Sequence, residues 1–227
     1  MIPRSRSDAL ALVVFDWDGT LIDSIARIVR CLHLAIEEIG AEPRTDAQLR
    51  DIIGLGVQQA TEDLYPGADE AFMRDLTRAY REHYLERDTT PTPLYPDAET
   101  TLRILAERGF LLAVATGKSR RGLDEALEVS GLAGYFDATV TADEHPSKPH
   151  PGMLSHLLDR LGVDRRDAVM IGDSAYDLLM ARSLRVLGVG ITHGAHDRYR
   201  LRRSGAAALI DELSEIPPLL EAEQRPA

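Results

Sequence analysis

At 227 residues the chain is long enough for one large domain, or a medium one carrying a smaller insertion, and it can bury a core without disulfide or metal staples. Its 44% hydrophobic and 28% charged content excludes a disordered or collagen-like chain. The formal net charge of −11 argues against a general nucleic-acid binder, whose affinity rests on neutralising phosphates with lysine and arginine.

No apolar run approaches the roughly 18 residues that suggest a membrane span, and residues 1–8 lack the apolar centre of a secretory leader. A cytoplasmic protein with no membrane partner is therefore expected. Cys31 is the only cysteine, which rules out an intrachain disulfide and paired-cysteine redox or zinc chemistry; it reads as a small buried hydrophobe. Of the 26 basic residues only Lys118 and Lys148 are lysines, so these two stand out. The basic cluster Arg198, Arg200, Arg202 and Arg203 reads as a solvated helix face.

In chain order, 10–15 is a short apolar run with the look of a buried strand. The stretch 23–89 then carries helical patterns and no convincing strand. Ile25, Ile28, Val29, Leu32, Ile36 and Ile39 recur at three- and four-residue steps and stop at Gly40. Thr45 with Gln48 resembles a capping box opening a second helix, and Phe72, Leu76, Ala79, Tyr80 and His83 mark a long final one. Pro91, Pro93 and Pro96 forbid a helix in the return linker. Beyond it, strands at 110–115, 138–141, 169–171 and 186–189 alternate with helices at about 123–129, 153–161 and 176–182. Such alternation predicts an α/β fold with a parallel sheet, and ligands in such sheets collect beyond the carboxyl ends of the strands.

The chemistry-bearing residues fall at those ends. The first strand runs into Asp16, Trp17, Asp18, Gly19 and Thr20, with Asp23 and Ser24 close behind. Carboxylates crowded this way repel one another and need a cation or a shared proton to coexist. An Asp-Gly turn explains Asp18 and Gly19 but leaves Asp16 at the end of a buried strand unexplained. The 110–115 strand delivers Thr116 and Gly117; the 169–171 strand delivers Gly172, Asp173 and Ser174, with Asp177 one helical turn on. Lys148 lies ahead of the 153–161 helix. Together these groups suit a phosphoryl group and a divalent cation, with lysine and backbone amides facing the anion and oxygen ligands facing the metal.

The constellation resembles the haloacid dehalogenase (HAD) superfamily, whose phosphatases carry four motifs in this order, and the match covers nearly the whole chain. The resemblance implies a doubly wound, Rossmann-like parallel sheet, with residues 1–22 and 90–227 as the core and 23–89 as a small all-helical cap. It makes Asp16 the nucleophile, Asp18 the general acid and base, and Thr116 and Lys148 the phosphate-holding groups, with Gly19 and Gly117 completing the substrate-binding set. It also implies magnesium, held by a side-chain oxygen of Asp16, the backbone carbonyl of Asp18, and Asp173. Asp177 joins that acidic set through water or by orienting Lys148. The stretch Ile53, Gly54, Leu55, Gly56 is similar to that of phosphoglycolate phosphatases, which makes a phosphoglycolate-like monoester the first expected substrate, ahead of sugar phosphates and nucleoside monophosphates.

Many relatives carry Asn where this chain has Gly117. Lys118, next to it, is expected on the surface at the start of a helix, since the Gly that a Walker A loop requires is replaced by Leu112. Other readings fit less well. A signalling receiver domain has its acidic pair ahead of a separate phosphorylated Asp and no helical insertion. A HAD-like binding protein without activity is the other non-enzymatic alternative. A phosphonate-cleaving relative needs a cap lysine, and 23–89 has none; a dehalogenase has no need of Asp18 or the second acidic motif. A β-phosphoglucomutase holds a second phosphate with an Arg where this chain has Val57, Gln58 and Gln59. His193 and His196 are expected in a polar loop, and His145 and His150 in exposed loop positions. Arg50, Arg81 and Arg87 are the cap cations with substrate contact to check. Oligomeric state is left open.

Overall fold

The computed structural model describes residues 10–223; the reading of residues 1–8 lies outside that range. Strand β1 (Leu12–Phe15) is buried along its whole length. Leu12 and Val14 face one apolar layer while Val13 and Phe15 face the other, so helices must cover both sides of the sheet. Four helices follow: α1 (Ile25–Glu38), α2 (Asp46–Asp51), α3 (Val57–Leu64) and α4 (Glu70–Glu82), the last running on into a π-helical turn, His83–Arg87. Next come α5 (Ala98–Glu107), β2 (Leu111–Thr116), α6 (Arg120–Ser130), β3 (Ala138–Thr141) and α7 (Gly152–Leu161). The chain closes with β4 (Ala168–Gly172), α8 (Ala175–Leu184), β5 (Leu187–Ile191), α9 (Arg198–Arg203), β6 (Ala208–Ile210) and α10 (Ile216–Glu223).

Among the described residues, six strands form one parallel sheet in the order β3-β2-β1-β4-β5-β6, the parallel sheet that the alternation predicts. Strand order reverses at β1, between β2 and β4, and this is where a doubly wound sheet opens a crevice at its carboxyl edge. One face packs on α5, α6 and α10 through Leu102, Leu105, Leu123 and Leu220, the other on α7 and α8 through Met153, Leu157 and Met180.

Residues 25–87 hold an apolar cluster of their own, built from Ile28, Leu32, Ile36, Leu49, Leu76 and Ala79 among others. The expected stripe of α1 is the buried one, and Cys31 lies within it. At Thr45 the capping box is present: its hydroxyl accepts from the Gln48 N–H, and its own N–H donates to Gln48 Oε1. The two chain crossings to the sheet lie side by side, with Asp23 N–H donating to the Pro93 carbonyl (2.8 Å) and Tyr95 N–H to that of Leu21 (3.0 Å). The sequence reading lacks helices α3, α5 and α10 and strand β6. Helix α3 is eight residues long behind a glycine N-cap, Gly56, the 98–107 segment follows a proline-rich linker, and a three-residue edge strand is too short for any periodicity.

Candidate active site

The sheet's carboxyl edge gathers Asp16 and Asp18 from the end of β1, Thr116 and Gly117 from β2, Lys148 from the loop before α7, and Asp173 and Asp177 from the β4–α8 junction. These side chains are nearly or wholly sequestered; Lys148 is 0% exposed and Asp16 1%. A charged group so buried must be paired. The Lys148 ammonium meets Asp16 Oδ1 at 2.8 Å and Asp177 Oδ1 at 2.7 Å. Burial alone would pull the Lys148 ammonium down, but the two carboxylates outweigh it and hold its pKa above the ordinary lysine value.

Asp177 occupies the third position of α8 and closes a capping box with Ser174. Its Oδ2 accepts from the Ser174 hydroxyl (2.6 Å) and N–H (3.2 Å), so both of its oxygens are engaged within the protein. Asp173 accepts from Thr20 Oγ1 (2.9 Å) and the Ala195 N–H (2.7 Å). Room for that carboxylate depends on Gly19, where φ is +78° and a Cβ would lie 2.2 Å from Asp173 Oδ2.

Asp16 differs from these. Its Oδ1 takes Lys148 and the Trp17 N–H (2.6 Å), while its Oδ2 is buried with no hydrogen-bond partner. Burial pushes Asp16 well above the usual carboxylate range, and Asp177 and Asp173 add to it against the pull of Lys148. Asp173 is pushed up to about 7, by burial and then by Asp177. Three carboxylates within 4.8 Å share one ammonium, so the cluster is short of positive charge by two units when all three are ionised. The orphaned Asp16 Oδ2 and this deficit fit a divalent cation held by hard oxygen ligands.

Asp18 points elsewhere. Its Oδ1 accepts from Ser24 Oγ (2.6 Å) and meets Lys118 Nζ at 3.0 Å. The expectation of a surface Lys118 is therefore corrected: its side chain is 8% exposed and donates to the Tyr84 hydroxyl at 3.1 Å from the π-helical turn. The sequence hint was the rarity of lysine in an arginine-rich chain.

A cavity of about 410 Å³ opens over Asp16, Asp18, Thr116 and Lys118 and is roofed by Leu55, Gln58, Arg81 and Tyr84 of the helical unit. The loop 53–56 closes onto the sheet edge: Gly56 N–H donates to Ser147 Oγ (2.8 Å), and the Leu55 carbonyl lies where a Cβ on Gly117 would sit, 2.3 Å away. Of the cap arginines, Arg81 lines this cavity beside Asp143, whereas Arg87 is spent on Glu38 and Glu82 and Arg50 is an exposed residue outside it.

His196 is buried rather than in a solvated loop. Its Nδ1 accepts the Ala175 N–H (2.8 Å), which leaves Nε2 to donate to the Asp51 carbonyl (3.1 Å) across to the helical unit. His193 stacks on Tyr95 at 3.7 Å. Arg200 ion-pairs with Asp51, so the basic face of α9 is not wholly solvated. His145 lines the cavity.

The haloacid dehalogenase-like hydrolase family model matches residues 13–191. Among similar proteins, one from Dickeya dadantii named "Probable phosphatase IndB" is 34% identical over 90% of this chain and 91% of its own length. A phosphoglycolate phosphatase of Neisseria meningitidis serogroup A is 31% identical over 93% of this chain and 94% of its own. A hydrolase from Pseudomonas syringae superposes with a TM-score of 0.86 at 23% identity, covering 93% of this chain and 98% of that one, a likeness of fold. With a family match that begins in β1, ends in β5 and takes in every acidic residue of the buried cluster, the chain belongs to the haloacid dehalogenase-like hydrolases.

Proposed function

We propose that the protein hydrolyses a small phosphate monoester through a phosphorylated Asp16. The observation that carries this reading is Asp16 itself, a buried carboxylate with one oxygen tied to Lys148 and the Trp17 amide and the other unpartnered at the floor of a cavity. Water attacks a phosphate monoester slowly because the dianion repels nucleophiles, so an aligned carboxylate and masked charge supply most of what a catalyst needs. The Asp16 carboxylate attacks phosphorus, the bond to the ester oxygen breaks, and Asp18 gives the departing alkoxide its proton. Asp18, now a carboxylate, takes a proton from water; that water attacks the acyl phosphate, and the Asp16–phosphorus bond breaks to release inorganic phosphate.

Thr116 and Lys148 hold the phosphoryl oxygens in this reading, with the backbone of Gly19 and Gly117 beside them. Asp16, Asp173 and the Asp18 carbonyl would hold magnesium, which supplies charge neutralisation between the attacking carboxylate and the phosphoryl dianion. Asp177, with both oxygens engaged, orients Lys148. The helical unit 23–89 acts as a cap that excludes water from the acyl phosphate and sets the choice of alcohol. The similarity to the Neisseria phosphoglycolate phosphatase and the 53–56 loop favour a phosphoglycolate-like substrate.

A panel of monoesters assayed for phosphate release with magnesium tests the proposal. Turnover of phosphoglycolate or another small monoester supports it; no release from any member of the panel contradicts it.

A further inference from the structure

Among the described residues, Lys118 is the one buried cation of the site that the phosphoryl chemistry does not use. Its side chain lines the cavity, and its only anionic partner among those residues is Asp18. Asp18 is the group that must turn to the leaving oxygen for the proposed reaction; its Oδ1 is held by Ser24 and Lys118, so a swing of that oxygen toward the leaving group gives up the contact with Lys118. An ammonium 8% exposed, deprived of that carboxylate, is costly unless another anion replaces it. The Tyr84 phenol beside it accepts from Lys118. Burial, its largest influence, raises its pKa, so it remains a hydroxyl whose own hydrogen is left to donate.

Distance fixes where that anion sits. Lys118 Nζ lies 3.0 Å from Asp18 Oδ1, and Asp18 must come within about 3 Å of the leaving oxygen. The leaving oxygen therefore lies within about 6 Å of Lys118 Nζ, a gap that a carboxylate three bonds from that oxygen can close, as in the phosphate of a 2-hydroxy acid. The roof adds one further cation, Arg81, which is already shared with Asp143.

We propose that Lys118, with the Tyr84 hydroxyl, is the receptor for a carboxylate on the leaving alcohol, and so selects phosphate esters of 2-hydroxy acids. This rests on the phosphatase reading of the same site. It makes Lys118 a specificity-determining residue whose service to Asp18 is exchanged for service to the substrate when the cavity fills. Tyr84 comes from the helical unit, so the receptor is complete only when that unit is seated on the sheet edge.

The test compares two unreactive phosphonates with the same three-carbon chain as inhibitors of the magnesium-loaded enzyme, with ethyl phosphate as the reporter substrate. One is 3-phosphonopropionate, which carries the carboxylate; the other is propylphosphonate, which lacks it. A charge-assisted pair of this kind predicts that the wild type binds the carboxylate-bearing inhibitor about ten- to hundredfold more tightly. Lys118→Met should bring the two inhibition constants within about threefold of each other, and Lys118→Arg should keep part of the preference. The kcat/KM for phosphoglycolate relative to ethyl phosphate should fall in Lys118→Met by the same factor. Equal inhibition of the wild type by both phosphonates overturns the inference, as does a preference that survives in Lys118→Met. Should that variant not fold, Lys118→Gln and the wild-type ratio decide. If ethyl phosphate and phosphoglycolate are both inert with the wild type, the phosphatase reading itself has failed, a different result from loss of preference in a working enzyme.

Discussion

Gly117 offers the most local test of how the helical unit seats over the site. Replacing it with Ala places a methyl group 2.3 Å from the Leu55 oxygen and little further from the Gly54 oxygen. Both are backbone atoms, so no side chain can turn aside, and the 53–56 loop must retreat by about 1 Å to restore ordinary contact. That loop also holds the Gly56 hydrogen bond to Ser147, and Gly54 is pressed on Ser174, so the retreat loosens three contacts at once. Overpacking of this kind costs about 1–3 kcal/mol, which falls on the seated arrangement and lowers the equilibrium constant for seating about five- to 150-fold. The sheet and its two apolar layers are untouched, so Tm should move by no more than a few degrees. Steady-state kcat/KM on a small monoester, with Tm from the same preparation, is the assay. A Gly117→Ala enzyme as active as the wild type would refute the argument that activity needs this close seat.

Lys148→Arg should fold but lose turnover by about a hundredfold or more, because a longer planar fork cannot fill a wholly buried socket cut for an ammonium between Asp16 and Asp177. Phosphate-release kinetics check it, and near-normal turnover would make the lysine incidental. The carboxylate cluster predicts an unusual pH dependence in metal-free protein. Asp173 binds its proton up to about 7 when folded but only near 3.8 when unfolded, so the folded state holds more protons between those values and stability should fall as pH rises through that window. Asp16, raised in the same direction, adds to the trend. Thermal melts after exhaustive chelation should show the decline and added magnesium should flatten it; melts that rise with pH across the window and ignore magnesium would contradict the cluster's charge deficit.

Much of this site was legible in the sequence because strand ends are marked twice. An apolar run such as 110–115 names the strand, and the polar residue that ends it, Thr116, names the side chain delivered to the edge. The alternation of buried runs and helical periods likewise gave the parallel sheet, and the capping box at Thr45 gave a helix start. What was not legible depends on contacts distant in sequence. Lys118 is buried by Tyr84 and Asp18, which lie 34 and 100 positions away, and by local pattern it looked like a helix-start surface residue. His196 reads as a loop histidine until α2 and α8 are brought against it. The role of Gly117 as a seat for the Leu55 carbonyl appears only when the helical unit is folded down; the sequence signals only a missing side chain.

The central claim is that Asp16 is phosphorylated and Asp18 moves protons, and one measurement separates them. Intact-protein mass spectrometry after a short incubation with p-nitrophenyl phosphate, whose leaving group needs no proton, should show one added phosphoryl group in Asp18→Asn. In that variant Asp16 can still attack the phosphoryl group, but nothing activates water to clear the acyl phosphate. Asp16→Asn should show none under the same conditions. A phosphorylated Asp16→Asn protein, or an Asp18→Asn protein that never carries the group, would contradict the account.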